Sequence, residues 1–510
     1  MLIEAIIAAT LIGAFITLVG PDRYANRIAL AVSALPLVGA LWMWLRFDGG
    51  GNALMEGSQL AFETQVPWLT LGPYTLSWHV GLDGISLPLL VLTTVLTPLA
   101  ILSAWTPIED RQSQFYGLML LMETSLLGVF AALDFFVWFV FWEAVLVPMY
   151  FLIAIWGGPR RKYAAIKFFV YTNIASLVMF IGFIGLVFGL GDAVSSFDLP
   201  AIAQALQTSQ PDALAGIPPG TLKLAAFIAM FAGFAVKVPV VPFHTWLPDA
   251  HVEAPTPVSV MLAGVLLKMG TYALLRFNFT MLSDVAQANA VFIAIFAVVS
   301  VIYGAMLALA QQDLKRIVAY SSISSMGYVI LGLVAYTTYG LGGATFQMLS
   351  HGLISGLMFM AVGVIYNKTH TRMVADLSGL ADRMPVTVAV FVAAAFGYMG
   401  LPLMSGFAGE LFVFLGSFGA DFPGAPVFTG TAMFGIVIVA GYLLYAMQRT
   451  LFGDYRVDTD YEASPAAFHD TAPLVALILL VILFGVAPDL FFTMIQDAVN
   501  PIVALAGGGL

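Results

Sequence analysis

Fourteen stretches of about 20 mostly apolar residues run along the chain, near 2–20, 28–46, 81–104, 114–132, 134–156, 167–190, 222–244, 257–276, 288–310, 316–337, 340–366, 385–417, 430–452 and 473–496. A helix of that length crosses the hydrocarbon of a bilayer, and in lipid the backbone must satisfy its own hydrogen bonds. The chain therefore reads as an all-α integral membrane protein of about fourteen transmembrane helices. Its composition agrees, with 61% hydrophobic and 9% charged residues, against roughly 45–50% and 25% in an ordinary soluble chain. The longest connections, about 47–80 and 191–221, gather Gly, Pro and acidic residues and leave no room for a soluble domain. The first apolar run carries Glu4 near its start, with no basic region and no clear cleavage site, and is expected to remain as helix 1.

The polar residues exclude several function classes. A formal charge of −10, from 19 Lys and Arg against 29 Asp and Glu, cannot drive nucleic-acid binding. With no cysteine, the chain has no thiolate for an iron–sulfur cluster, a Cys-ligated zinc site, a disulfide or Cys nucleophilic catalysis. No nucleophile elbow or Walker loop is present, and Gly340, Gly342 and Gly343 lie in an apolar run where close helix packing is expected. If successive loops alternate sides, fourteen basic residues, from Arg23 and Arg27 to Arg449 and Arg456, share one side. Only Arg46, Lys223 and Arg276 fall on the other. The positive-inside rule makes the first side cytoplasmic and places both termini on the opposite, periplasmic side.

Two basic residues remain, Lys237 and Lys268, and both fall deep in predicted spans. Glu123, Glu143, His351 and Glu410 do the same, in helices 4, 5, 11 and 12. A charge at the bilayer centre costs at least about 2.5–3.5 kcal/mol. One buried ion pair can merely fix helix packing. Six such groups over six helices instead suggest a proton path, because Glu, Lys and His can each load and release a proton when their surroundings bring them near neutrality. Every mid-span base is Lys and none is Arg, which does not deprotonate in proteins.

Proline and glycine mark two broken helices. Lys237 is followed by Pro239 and Pro242, and Glu410 is preceded by Pro402, Gly406 and Gly409. Broken helices in corresponding places suggest two inverted five-helix repeats, helices 4–8 over 111–277 and helices 9–13 over 278–455. Residues 1–110 then hold helices 1–3 and residues 456–510 the C-terminal helix 14. His244 and His251, with Asp249 and Glu253, fall in a proline-rich segment that reads as a cytoplasmic loop, and metal binding is not expected there. Asp83, at the start of helix 3, reads as a cap or loop anchor.

The segment KVPVVPFHTWLPDAHVEAPTPVSVMLAGVLLKMGTYALLR from Lys237 to Arg276, with VFWEAVLVPMYFLIAIWG around Glu143, closely resembles the proton-translocating antiporter-like subunits of respiratory complex I. LKRIVAYSSISSMGYVILG and QMLSHGLISGLMFMAVGVIY fit as well, and the resemblance covers essentially the whole chain. Among the three sister types it sits with the M type of bacterial NADH–quinone oxidoreductase. The reasons are its length, the WEAVLVPMYFLI wording and Glu410, where the sisters carry Lys.

The resemblance implies that Glu143 pairs with Lys237, that Lys237 carries the proton of the input half, and that Lys268 links the halves. His351 is then a relay and Glu410 the carboxylate near the exit, with Glu123 and Ser325 on a secondary path. Ser325 departs from the family pattern, since some relatives have His there, and a hydroxyl cannot hold a proton at neutral pH. The resemblance also implies that redox chemistry occurs in partner subunits, which hold NADH, FMN, iron–sulfur clusters and quinone, with no cofactor or metal in this chain. Other membrane-arm subunits, including the sister subunits, and lipids are the expected partners, in a bacterial inner membrane. The alternatives are a D-type subunit of a multisubunit sodium–proton antiporter, a membrane subunit of an energy-converting hydrogenase, a lone solute transporter and a structural scaffold.

Overall fold

The computed structural model describes residues 1–55 and 57–507. Thirteen helices are long and apolar enough to cross a bilayer. They are α1 (Leu2–Val19), α2 (Asp22–Leu45), α3 (Ser86–Ser103), α4 (Gln112–Ala131), α5 (Phe135–Trp156), α6 (Arg161–Leu190), α7a (Pro219–Lys237), α8 (Thr256–Met281), α9 (Ala290–Leu309), α10 (Leu314–Val334), α11 (Thr338–Thr369), α13 (Ala425–Thr450) and α14 (Phe468–Val486). The fourteenth expected span is a pair of shorter apolar helices, α12a (Pro385–Tyr398) and α12b (Ser405–Phe418). The last helix, α15 (Asp489–Leu505), packs its apolar side against α11.

Three of the spanning helices begin at short polar caps, which serve the first N–H groups of a helix that have no partner within it. Asp134 accepts from the backbone N–H of Phe136 at 2.9 Å and starts α5. Asp313 accepts from Lys315 N–H at 2.8 Å and starts α10. Thr337 does the same for α11 through Gly340 N–H at 3.0 Å.

The expected breaks are present. α7a ends at Lys237, and the chain resumes as the half-helix α7b (Trp246–Glu253). The indole N–H of Trp246 closes the gap by donating to the Val236 carbonyl at 2.8 Å. Between α12a and α12b, Gly400 has φ +64°, a left-handed conformation that glycine adopts without strain. The Gly343 backbone packs directly on α12b, and a Cβ there would sit 2.6 Å from the Val413 nitrogen, so the expected glycine packing is found.

Several sequence readings are corrected. The segment around His251 is not a loop but α7b, and His251 is fully buried. Its proline is no obstacle, because Pro248 lies in the first turn, where no intrahelical N–H is required. The two long connections are ordered: 47–80 carries an antiparallel hairpin, β1 (Ala61–Leu71) and β2 (Tyr74–Leu82), and 191–221 a short helix, Leu199–Thr208. Arg276 is not a loop residue. It is buried at the end of α8, where its guanidinium meets the Asp83 carboxylate at 2.6 Å and Asn52 at 3.1 Å. One spanning segment therefore holds a buried Arg as well as Lys. Asp83 also accepts from Ser86 N–H at 3.0 Å, so its reading as an anchor stands.

The hairpin marks one face of the molecule, and the basic loops mark the other. On the hairpin face, buried His79 on β2 contacts Asp198, before the short helix, and Glu63 on β1 at 3.0 Å. Burial works against the imidazolium, but the Asp198 and then the Glu63 carboxylates outweigh it and raise the His79 pKa. The unfolded value is about 6.5. A raised folded value means this stabilisation is complete below about pH 6.5 and fades as pH rises through the folded pKa. Hydrogen exchange of the paired Thr64 to Val66 amides, corrected for intrinsic rate, is therefore expected to quicken as pH rises above 6.5. The His79→Gln protein should lack that acceleration, and equal pH dependence in both proteins would refute a stabilising role for the His79 contacts.

Candidate functional site

A series of buried polar side chains crosses the middle of the helix bundle. Glu143 on α5 is half-buried and accepts from the Asn173 amide on α6 at 3.0 Å. Lys237, the last residue of α7a, is buried, with its ammonium 4.8 Å from the centre of the Trp142 ring. Among the described residues no protein atom hydrogen-bonds the Lys237 ammonium or the second Glu143 oxygen. Glu143 and Lys237 are not within 4 Å, so the expected pair is not in contact. The cation rests on an aromatic face while the carboxylate is held by an amide, an arrangement in which neither ion is fixed by the other.

Lys237 packs on α8 at Gly270, where a Cβ would stand 3.2 Å from the Lys237 Cβ. Two residues earlier is Lys268, fully buried. α8 is irregular here, with wide π-type turns at Leu262–Leu266 and Leu274–Met281 on either side of it. Such turns interrupt the regular i→i−4 pattern and recur at functional sites. In the first of them the Ala263 carbonyl accepts from the Lys268 ammonium at 2.5 Å. The same ammonium stands 2.6 Å from Nδ1 of His351 on α11.

His351 Nε2 faces the Tyr398 hydroxyl at 3.5 Å, at the end of α12a. The helix break comes next, and Glu410 lies against it: a Cβ on Gly400 would sit 2.5 Å from Glu410 Oε2. That oxygen is buried and unpartnered. These contacts join Lys268, His351 and Tyr398, and Glu410 lies at the helix break that begins just after Tyr398.

The two secondary residues stand apart. Glu123 on α4 is fully buried, neither oxygen is hydrogen-bonded, and it faces the Thr97 hydroxyl on α3. Ser325 is buried on α10, one turn beyond Ser321 and Ser322, which face Tyr398. Sequence reasoning did not single out Asn173, Trp142 or Tyr398. The Trp–Glu dipeptide at 142–143 was the available signal for the second, whereas Tyr398 carries none beyond its place before the break. Among the described residues no cluster of three or more His, Asp or Glu side chains has metal-binding geometry.

Residues 132–438 match the family described as NADH:quinone oxidoreductase/Mrp antiporter, transmembrane. The chain belongs to this family. Subunit M of the NADH–quinone oxidoreductase of Rhodobacter capsulatus is 38% identical over 490 residues, 95% of this chain and 90% of that protein. Subunit M of the F(420)H(2) dehydrogenase of Methanosarcina mazei is 38% identical over 473 residues, 92% and 91% of the two chains. A chain of respiratory complex I from Thermus thermophilus superposes with a TM-score of 0.87 at 27% identity and full coverage of both chains. A chain of the Mrp complex from Dietzia shares the fold, with a TM-score of 0.83 at 19% identity over 99% of each.

Within the NADH:quinone oxidoreductase/Mrp family, this chain is an antiporter-like membrane-arm subunit of the complex I type. The whole series of buried groups from Glu143 to Glu410 falls inside the matched residues.

Proposed function

We propose that this subunit moves protons from the cytoplasm to the positive side of a bacterial inner membrane through Glu143, Lys237, Lys268, His351 and Glu410, driven by redox chemistry in its partners. The observation that carries this reading is the 2.6 Å contact between Lys268 and His351, with the Tyr398 hydroxyl on the far imidazole nitrogen and a buried carboxylate, Glu410, at the helix break that follows Tyr398. A proton leaving the Lys268 ammonium enters His351 at Nδ1, and the imidazole releases one from Nε2 toward the Tyr398 hydroxyl. Glu410 receives it at the break, and Lys237 restores the proton on neutral Lys268. Approach of Glu143 to Lys237 would hold the proton on that lysine, and withdrawal to Asn173 would free it. Both termini lie on the positive side in this reading.

The chain has no redox centre of its own here. NADH, FMN, iron–sulfur clusters and quinone belong to partner subunits, in keeping with the absence of cysteine. NADH is the proposed electron source, supported by the Rhodobacter relative's name. The Methanosarcina relative, named for F(420)H(2), has a membrane subunit of similar sequence beside a different donor.

The test is NADH-driven proton uptake into inverted membrane vesicles carrying Glu143→Ala, with quinone reduction monitored in parallel and assembly checked on a native gel. The expected result is an intact complex in which both activities fall together. Unchanged NADH oxidation and pumping, with sodium-linked proton exchange lost instead, would overturn the proposal in favour of a sodium–proton antiporter.

A further inference from the structure

Away from the proton path, α2, α3, α11, α14 and α15 enclose a crevice of about 200 Å³ lined only by apolar residues and Trp44. Its floor is Leu353 on α11, 1% exposed, and its rim includes Leu483 on α14, 45% exposed. The crevice is thus open at the outer surface of the bundle and closed toward the core.

Its depth is readable from α3, which enters from the hairpin face and lines it from Pro88 to Val95. Seven residues at 1.5 Å each make about 10 Å, from the interface toward mid-bilayer. Trp42 and Trp44 end α2 at the shallow end, where interfacial tryptophans sit at headgroup level. Arg46 comes directly after and is exposed. The other two basic residues of this face are engaged, Lys223 with Asp284 at 2.6 Å and Arg276 with Asp83. Among the described residues Arg46 has no carboxylate within 4 Å.

We infer that this crevice holds one acyl chain of an anionic phospholipid whose phosphate lies by Arg46. An apolar recess of this kind gives water no partners. It is also too small for a helix, which is 10–12 Å across with its side chains. A single hydrocarbon chain matches its apolar lining, its depth and the cation at its mouth. The chain would rest on Leu353, one half-turn from His351, and so back the relay helix from the lipid side.

The test uses the whole complex in nanodiscs containing phosphatidylglycerol with a photoreactive group partway along one acyl chain, and then peptide mapping. Labelling is expected to concentrate on peptides containing Leu353 and Leu480, above that on the exposed α6 face at Ile174 and Ile181. Leu483→Trp, a rim substitution, is expected to abolish the excess. Arg46→Gln should lower it about fivefold at low salt, the effect of one basic residue near an anionic phosphate. Label spread evenly over the exposed helices, or unchanged by Leu483→Trp in an assembled complex, would overturn the site. So would cross-links between crevice peptides and a partner subunit's side chain filling it.

Discussion

Lys237→Ala is expected to lower NADH-driven proton uptake roughly hundredfold or more, the usual cost of removing a positioned proton carrier, in a complex that still assembles. The more informative variant is Lys237→Arg. It keeps a cation beside Trp142, so packing and charge are nearly retained, but guanidinium does not give up its proton in a protein. If Lys237 serves only as a fixed charge, the Arg protein should pump normally. If it carries the proton, the Arg protein should fail as the Ala protein does. Wild-type uptake by Lys237→Arg vesicles would therefore remove this lysine from the path.

The second large effect is on stability. Arg276→Ala should destabilise the protein by about 3–5 kcal/mol, because it leaves the Asp83 carboxylate buried without its counter-ion. The pair joins the start of α3 to the end of α8, and Asn52 extends it to α15 through the Ala498 carbonyl at 3.0 Å. Removing both charges while keeping an acceptor for the buried Ile85 and Ser86 N–H groups, as in Arg276→Met with Asp83→Asn, should recover part of the loss. Thermal unfolding in detergent distinguishes the cases. A single variant as stable as wild type would mean that the carboxylate finds other compensation.

Much of this architecture is legible in the sequence because lipid allows so few solutions. A stretch of 20 apolar residues must be helical, and the prolines after Lys237 and before Glu410 must break the helix where they stand. The buried Lys, Glu and His residues announce themselves by their cost. Other features could not be read. The wide turns flanking Lys268 depend on packing around α8, since the run from Leu262 to Leu267 has ordinary helical composition. The separation of Glu143 from Lys237 depends on Asn173 and Trp142, whose positions only the folded bundle sets. α7b reads as a loop because the four prolines and two histidines of residues 242–257 mask a half-helix whose His251 and Glu253 are covered by neighbouring helices rather than by water. The hairpin was hidden for a related reason: its β1 strand leaves Val66, Trp68 and Leu71 exposed, so the alternation that marks a strand is blurred.

Asp134 and Asp313 start their helices from opposite faces of the bundle, each by accepting from the N–H groups two and three residues on. Capping of this kind is indifferent to which compartment the residue faces, because its partner is backbone. The residues just inside each cap do differ between the faces: Phe135 and Phe136 after the first, Leu314, Lys315 and Arg316 after the second. During insertion, then, the same start signal is usable from either compartment, and the neighbouring charges decide which way the segment threads. An ancestral segment duplicated in reverse orientation would have needed new charges at its loops and no new way of beginning a helix.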